Sequence, residues 1–425
     1  MRAELWRHRD FLKLWGGQTL AMFGTAVGRT ALPLVAVVML NASATQMGFM
    51  NALSQLPFLL FLFAGVWVDR VRRRYAMVWT DIGRFVLLAL VPSLYAVGWL
   101  RIEALYVIVF CTGVLGVMFE IAYHAYLPTL TGRELVAEGN QKLELSRSAA
   151  GLLGPAATGV AISAVASAMV LVVSAATHLI SAAMLLLIRK PDTMPSATHT
   201  DGVLRAIREG LHWVVRHPVL RTIASASAIF YGFTSALQTL YVLYLIRVLN
   251  VPPGWVAAIF AAAGPGALAG SWLSVRLMRK VGVGTAVMWA VGCANGILLL
   301  IPAASLVSPL WLVVALLVTS QFGYGLSTQV GTIIQTTLRQ LLTPDEMQGR
   351  VVATLRALSM ATVPVGALAA GVLADAIGIQ PLVWIGSIGL LGSFVIYVFS
   401  PIPRMRAMPT EEEAAAMAPE MRAHA

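Results

Sequence analysis

The sequence predicts an all-α integral membrane protein: twelve transmembrane helices in two pseudo-symmetric six-helix bundles. Three observations predict it. Of 425 residues, 58% are hydrophobic and only 12% are charged, with a mean hydropathy of +0.79, more apolar surface than a soluble chain of this length can bury. Apolar runs recur at the length of about 20 residues that a helix needs to cross a bilayer. Features of the first half also return, weakened, in the second.

Taken in order, apolar runs bounded by charge, Gly or Pro place spans at 12–40, 47–68, 75–100, 104–130, 144–166 and 168–188. Six more follow at 219–247, 254–278, 284–303, 309–336, 352–377 and 381–400. The first run is too long for a signal-peptide core and lacks a cleavage pattern, so it is expected to be the first span. The expected organisation is a six-helix bundle over 1–190, a linker over 191–218, a second bundle over 219–403 and a tail over 404–425. Within the linker, Asp201 can cap a helix whose Leu204, Ile207, Leu211 and Val214 share an apolar face, with Arg205, Arg208 and Arg216 opposite. That pattern predicts an amphipathic helix lying on a membrane surface.

The repetition supports two related halves. Gly65-Val-Trp-Val-Asp69 with Arg72 to Arg74 returns as Gly270-Ser-Trp-Leu-Ser274 with Arg276, Arg279 and Lys280. Leu130 to Glu134 is echoed at Leu342 to Glu346, and Pro155 at Pro364.

The net charge of +11 excludes a nucleic-acid partner, because the basic residues are scattered between apolar runs and form no single face. They follow topology instead. Nearly all of the 30 Lys and Arg residues fall on one side of the twelve-span pattern, leaving Arg101 and Arg247 on the other and Arg29 and Arg84 inside spans. Both termini are therefore expected in the cytoplasm, in a multi-pass protein of the cell (inner or plasma) membrane. Cys111 and Cys293 lie inside apolar runs, so neither a disulfide framework nor a zinc site is expected. No phosphate-cradling Gly-x-x-x-x-Gly-Lys-Ser/Thr occurs, no residues show metal spacing, and no cofactor is expected.

The turn Gly65 to Arg74, GVWVDRVRRR, resembles the signature loop of the major facilitator superfamily, Gly-x-x-x-Asp-Arg-x-Gly-Arg-Arg. Gly65, Asp69, Arg70, Arg73 and Arg74 match it, and Arg72 replaces the second glycine. The resemblance extends from Arg9-Asp10-Phe11 through Arg29-Thr-Ala-Leu-Pro33 to Arg350 and Asp375. It is nearest the drug and proton antiporter branch that contains macrolide-type efflux proteins and the enterobactin exporter. It implies two six-helix bundles around a central cavity lined by spans 1, 4, 7 and 10, with no enzymatic activity. It also implies that Gly65 lets span 2 approach span 11, and that Asp69 meets the N-terminal end of span 11 in the outward-facing state. A carboxylate there gains roughly 0.3–1 kcal/mol. In span 5, Gly151-Leu-Leu-Gly154-Pro155-Ala-Ala-Thr-Gly159 resembles the antiporter motif Gly-x-x-x-Gly-Pro-x-x-Gly-Gly, with displaced flanking glycines. Ordinary close packing of membrane helices is the alternative.

Ionisable residues inside spans cost about 2.5–3.5 kcal/mol each unless paired or hydrated. Asp81 and Arg84, three residues apart in span 3, can neutralise one another, as a structural or gating pair or as a proton site. Glu120 and His124, four apart in span 4, share a face, either as a structural polar pair or as a site where a carboxylate and an imidazole exchange a proton. The cavity position implied by the resemblance makes Glu120 the leading coupling candidate. Related exporters often carry an acid four residues before the counterpart of Arg29, where this chain has Thr25. Arg29, Tyr123, Gln238, Gln321 and Gln329 are the candidate cavity and substrate residues, whereas His178 stands alone in span 6 and is expected to be a hydrogen-bonded helix contact.

The expectation is a secondary active transporter, acting as a monomer, that exports an amphiphilic small molecule (a drug, antibiotic or siderophore-like compound) in exchange for protons by alternating access. Protonation of Glu120, or of Asp81, would weaken substrate binding. The alternatives are an importer or uniporter of a metabolite or lipid and, more remotely, a multispan membrane enzyme or a transport-derived sensor.

Overall fold

The computed structural model describes residues 5, 8–60, 72–132, 135–190 and 203–405. All regular elements among them are helical. The chain separates into two compact units, one of Met1–Thr200 with Asn250–Ala261, the other of Asp201–Leu249 with Ala262–Ala425.

The first unit contains α1 (Arg9–Leu34), α2 (Ala44–Gln55), α3 (Arg73–Ala96), α4 (Ile102–Thr131), α5 (Val136–Ala164) and α6 (Ser167–Leu186). It also takes in α9 (Pro253–Ala261). The second contains α7 (Val203–Arg216), α8 (Pro218–Leu243), α10 (Ala263–Val281), α11 (Val283–Ile297), α12 (Leu300–Ala303), α13 (Leu310–Leu341), α14 (Asp345–Ile377) and α15 (Ile379–Val398).

Among the described residues, ten helical segments are long and apolar enough to cross a membrane. They are consistent with twelve. The fifth expected span is α5, which carries charges at Glu138, Lys142, Glu144 and Arg147 in its first half. The second begins as α2 and a 3-10 turn at Leu56–Leu60, and its remainder lies outside the described residues.

Local chemistry sets the helix ends. Ser43 and Gln46 form a reciprocal cap on α2. His8 and His217 cap α1 and α8: each Nδ1 accepts a backbone N–H three residues on, from Phe11 at 3.1 Å and from Leu220 at 3.5 Å. Both capped helices end in a π turn, Val35–Met39 after α1 and Tyr244–Val248 after α8. Each chain then turns at an asparagine in the left-handed region, Asn41 (φ 51°) and Asn250 (φ 53°), where a short polar side chain is tolerated.

Packing within each unit relies on small residues that bring backbones together. In the first, α1 lies against α6 through Gly17, Gly24 and Gly28, and the Ser174 hydroxyl donates to the Gly24 carbonyl at 2.6 Å. In the second, α8 lies against α14, where a Cβ on Gly366 would overlap the Gly232 carbonyl oxygen. Two hydroxyls cross that contact, Ser235 to the Val363 carbonyl at 2.8 Å and Thr362 to the Ala228 carbonyl at 2.9 Å. Gly266 and Gly325 play the same part between α10 and α13.

The amphipathic helix α7 docks on protein through Trp213 and Val214, which are buried with Leu220, Ala224, Met347, Val351 and Leu355. Glu209 pairs with Arg350. Leu211, expected on the apolar face, is exposed, and the side chains of Leu204 and Ile207 lie outside the described residues.

Two outcomes are expected. Gly366→Val should lower the unfolding temperature in detergent, because overpacking against a backbone costs about 1–3 kcal/mol. A shift no larger than that of an exposed helical control such as Gly151→Ala, where a Cβ meets open space, would contradict the close contact. The second concerns His217, which is fully buried with no hydrogen-bond partner at Nε2. Burial holds its pKa below the usual histidine value, and protonating Nδ1 would remove the cap acceptor. The unfolded chain then binds the extra proton more readily, so stability is complete above about pH 6.5 and falls as pH drops below it. His217→Asn retains a cap acceptor that does not titrate, and its melting temperature should fall less between pH 7 and pH 5 than that of the unsubstituted protein.

Candidate functional site

The first unit concentrates ionisable side chains at membrane depth. Asp81 on α3 is fully buried, and its Oδ1 lies 3.1 Å from Nδ1 of His178 on α6, which is 2% exposed. Arg84, one turn along α3, places Nη1 3.8 Å from the same oxygen. Asp81 Oδ2 has no hydrogen-bond partner.

The Arg84 guanidinium crosses to α4, where it sits over the Phe119 ring at 5.4 Å from the centroid. A Cβ on Gly116 would come within 2.6 Å of Arg84 Nη2, so that glycine makes room for the cation. Arg84 feels the carboxylates of both Asp81 and Glu120. Glu120 Oε1 is 4.0 Å from His124 Nε2, and this pair is more open, with side-chain exposures of 26% and 54%. His178, which the sequence left isolated, is thus the second helix's contribution to the Asp81 site. The signal was the residue type itself, a histidine in an otherwise Ala-, Ser- and Leu-rich span.

The other expected residues are distributed as follows. Tyr123 is buried with no hydrogen-bond partner for its hydroxyl, and its ring meets that of His124 at 5.1 Å. Arg29 is exposed on α1, and its charged neighbour is another cation, Arg147 of α5. In the second unit, Gln321 is buried beside Tyr241, Gln329 is half-buried and Gln238 is exposed. Phe230 of α8 stacks on Tyr324 of α13 at 6.4 Å between centroids and meets Tyr231 edge-on at 5.6 Å.

Within the charged turn, Gly65, Asp69 and Arg70 lie outside the described residues. Arg73 donates to the Thr129 hydroxyl at 3.4 Å, and Arg74 to the Leu186 carbonyl at 2.8 Å, where a cation complements the C-terminal end of α6. Lys13 donates to the neighbouring Leu187 carbonyl at 2.7 Å.

The glycines of α5 divide into two kinds. Gly154 meets α1 at Ala26, and Gly159 meets α9 at Gly254 and Ala257, whereas Gly151 faces open space. Pro155 cannot donate to the Gly151 carbonyl, one turn back. A cleft of about 870 Å³ opens beside Gly159, between the ends of α1, α5 and α9, lined by Met39, Val160, Ser163, Trp255 and Ala258. Among the described residues, no cluster of His, Cys, Asp and Glu suits a metal ion.

A family model described as a transmembrane secretion effector matches residues 4–424. Among curated relatives, the multidrug efflux pump Tap of Mycolicibacterium fortuitum is 27% identical over 401 residues, covering 91% of this chain and 93% of that protein. Tap of Mycobacterium tuberculosis is 28% identical over 375 residues, covering 85% and 86%. A bacterial homologue of the iron transporter ferroportin, solved in an inward-facing state, superposes with a TM-score of 0.71 over 92% of this chain and 98% of that one, at 16% identity.

Because Asp81 is shared by two partners, substitutions around it should not add. Arg84→Leu and Asp81→Asn are each expected to lower the melting temperature, and the double variant to fall short of their sum by about 0.5–3 kcal/mol, the range for contacting residues. Additive losses in a thermal-shift cycle would dissolve the pair.

Proposed function

The chain belongs to the transmembrane secretion effector family of the major facilitator superfamily, and on that basis we propose that it exports an amphiphilic small molecule in exchange for protons by alternating access. It is a multi-span membrane transporter and not an enzyme. The observation that carries the export reading is its match, along nearly its whole length, to relatives named multidrug efflux pumps.

Proton exchange is supported by the placement of acids. Asp81 and Glu120 lie well inside apolar helices, where only a paired or exchangeable carboxyl is tolerated. Glu120, open to 26% beside an exposed His124, can meet water and act in coupling. Its protonation removes a negative charge from the site and releases bound substrate.

Arg29, Tyr123, Gln238, Gln321 and Gln329 supply the polar contacts to the substrate. Within the second unit, the Phe230–Tyr324 stack suits the apolar part of an amphiphile. Asp69 in the Gly65–Arg74 turn stabilises the outward-facing state, with Gly151, Gly154, Pro155 and Gly159 shaping the fifth span. The distribution of basic residues supports a cytoplasmic placement of both termini.

Expression in a strain stripped of its own efflux pumps should raise resistance to a subset of dyes and antibiotics and lower their accumulation. In everted vesicles, acidification of the lumen should drive uptake of ethidium, and Glu120→Gln should abolish the dependence on that gradient. Increased whole-cell uptake would reverse the direction and favour an importer. Unchanged coupling in Glu120→Gln would remove that residue from the proton route.

A further inference from the structure

The charged side chains around α3 form a graded series. Side-chain exposure falls from 54% at His124 to 26% at Glu120, 14% at Arg84, 0% at Asp81 and 2% at His178. The series crosses three helices, from α4 to α3 to α6. Each step is a contact or a charge interaction: 4.0 Å from His124 to Glu120, the Glu120 field on Arg84, 3.8 Å from Arg84 to Asp81, and 3.1 Å from Asp81 to His178.

The geometry points to the Asp81–His178 pair as the resting place of the coupling proton, with Glu120 and His124 as its entrance; this inference rests on the exporter reading above. The decisive feature is the unpartnered Oδ2 of Asp81. A buried carboxylate oxygen without a donor is costly, and a proton added there converts it into a neutral hydroxyl.

In the unloaded site, His178 Nδ1–H donates to Oδ1 of the Asp81 carboxylate, and Arg84 neutralises that carboxylate. One proton taken up from water by His124 passes to the Glu120 carboxylate, and that O–H bond breaks as a new one forms at Asp81 Oδ2, leaving His124 neutral and Glu120 charged as before. Asp81 is then neutral and loses its hold on Arg84, whose remaining carboxylate neighbour is Glu120 on α4. When the O–H bond breaks, the same proton returns to water and the Asp81–Arg84 pair re-forms. Arg84 thus changes allegiance between α3 and α4 with each proton. Gly116, which leaves space at Nη2, allows that movement.

His178 is the positioning residue. It fixes which oxygen of Asp81 stays free, and it does so from α6, which also packs on α1 through Gly24 and Gly28. Of the charged groups on the packed elements, Arg84 acts on both members of the pair and Glu120 acts on Arg84, whereas Arg9, Asp10 and Lys13 of α1 and Glu138, Lys142 and Glu144 of α5 are not among them. Arg84 lies on α3 and Glu120 with His124 on α4; on α1, Arg29 has Arg147 as its charged neighbour rather than this pair.

The test is infrared difference spectroscopy of the full-length protein in lipid vesicles between high and low pH, combined with gradient-driven ethidium uptake in everted vesicles. A protonated-carboxyl band should appear on acidification, vanish in Asp81→Asn, and titrate about one pH unit away from its original midpoint in His178→Asn, a tenfold change in proton affinity. His178→Asn should also lose gradient-driven uptake by about tenfold or more, while ethidium equilibration without a gradient survives. A band that persists in Asp81→Asn, or a midpoint unmoved in His178→Asn, overturns the assignment. So does loss of equilibration together with gradient-driven uptake, which marks a structural role only. If the unsubstituted protein moves no ethidium under a gradient, the exporter reading falls for that probe, and the infrared titration still decides whether the pair takes up the proton.

Discussion

At membrane depth no water is available to the backbone, so every backbone polar group must find its partner inside the protein. In both units the solution is the same: glycine faces backbone, and a hydroxyl from the facing helix reaches across. Ser174 on Gly24, Ser235 on Val363 and Thr362 on Ala228 are three instances. Each such bond is worth only about 0.6 kcal/mol on average in membrane proteins, so the close approach itself carries most of the contact through packing. The ionisable site depends on that approach. Asp81 reaches His178 because α3 and α6 lie in contact, and Arg84 reaches Phe119 because α4 carries glycine at 116.

The two halves share more than a helix count. A histidine caps the first helix of each, a π turn ends it, and an asparagine with positive φ follows. The pairs His8 and His217, Val35 and Tyr244, Asn41 and Asn250, and Pro155 and Pro364 keep one constant offset. A π turn adds a residue to the helical ladder and is costly enough to be uncommon. Its recurrence at equivalent positions marks a shared architectural plan.

Much of this was legible in the sequence, for reasons that particular residues make plain. Helices long enough to span follow from hydropathy, because a membrane helix must be apolar along its length. The Asp81–Arg84 and Glu120–His124 pairs follow from helical spacing. The partner of His178 did not, because Asp81 is 97 residues away and only the packing of α6 on α3 joins them. For the same reason the sequence did not separate Gly154 and Gly159, which touch other helices, from Gly151, which does not. The linker helix was visible as an amphipathic pattern. Its docking through Trp213 was not, because the pattern alone does not say whether lipid or protein covers the apolar face.

The chemical contents of the halves differ where their architecture agrees. Between Pro218 and Val398 the only acids are Asp345, Glu346 and Asp375, all at or near helix ends. The first half carries Asp81 and Glu120 in the middle of apolar helices, beside Arg84, His124 and His178. The second offers neutral groups instead: Gln321, Gln329, Asn295 and the Phe230–Tyr324 stack. A repeated scaffold imposes no such division, because its small-residue contacts and capping histidines serve either half equally well. Proton exchange requires groups that change charge, whereas holding a varied amphiphile requires apolar faces and neutral hydrogen-bonding groups that cost little to desolvate. On the proposed exporter reading, the groups suited to proton exchange lie in the first half, and the second half supplies most of the neutral groups suited to recognition, joined by Arg29 and Tyr123 of the first.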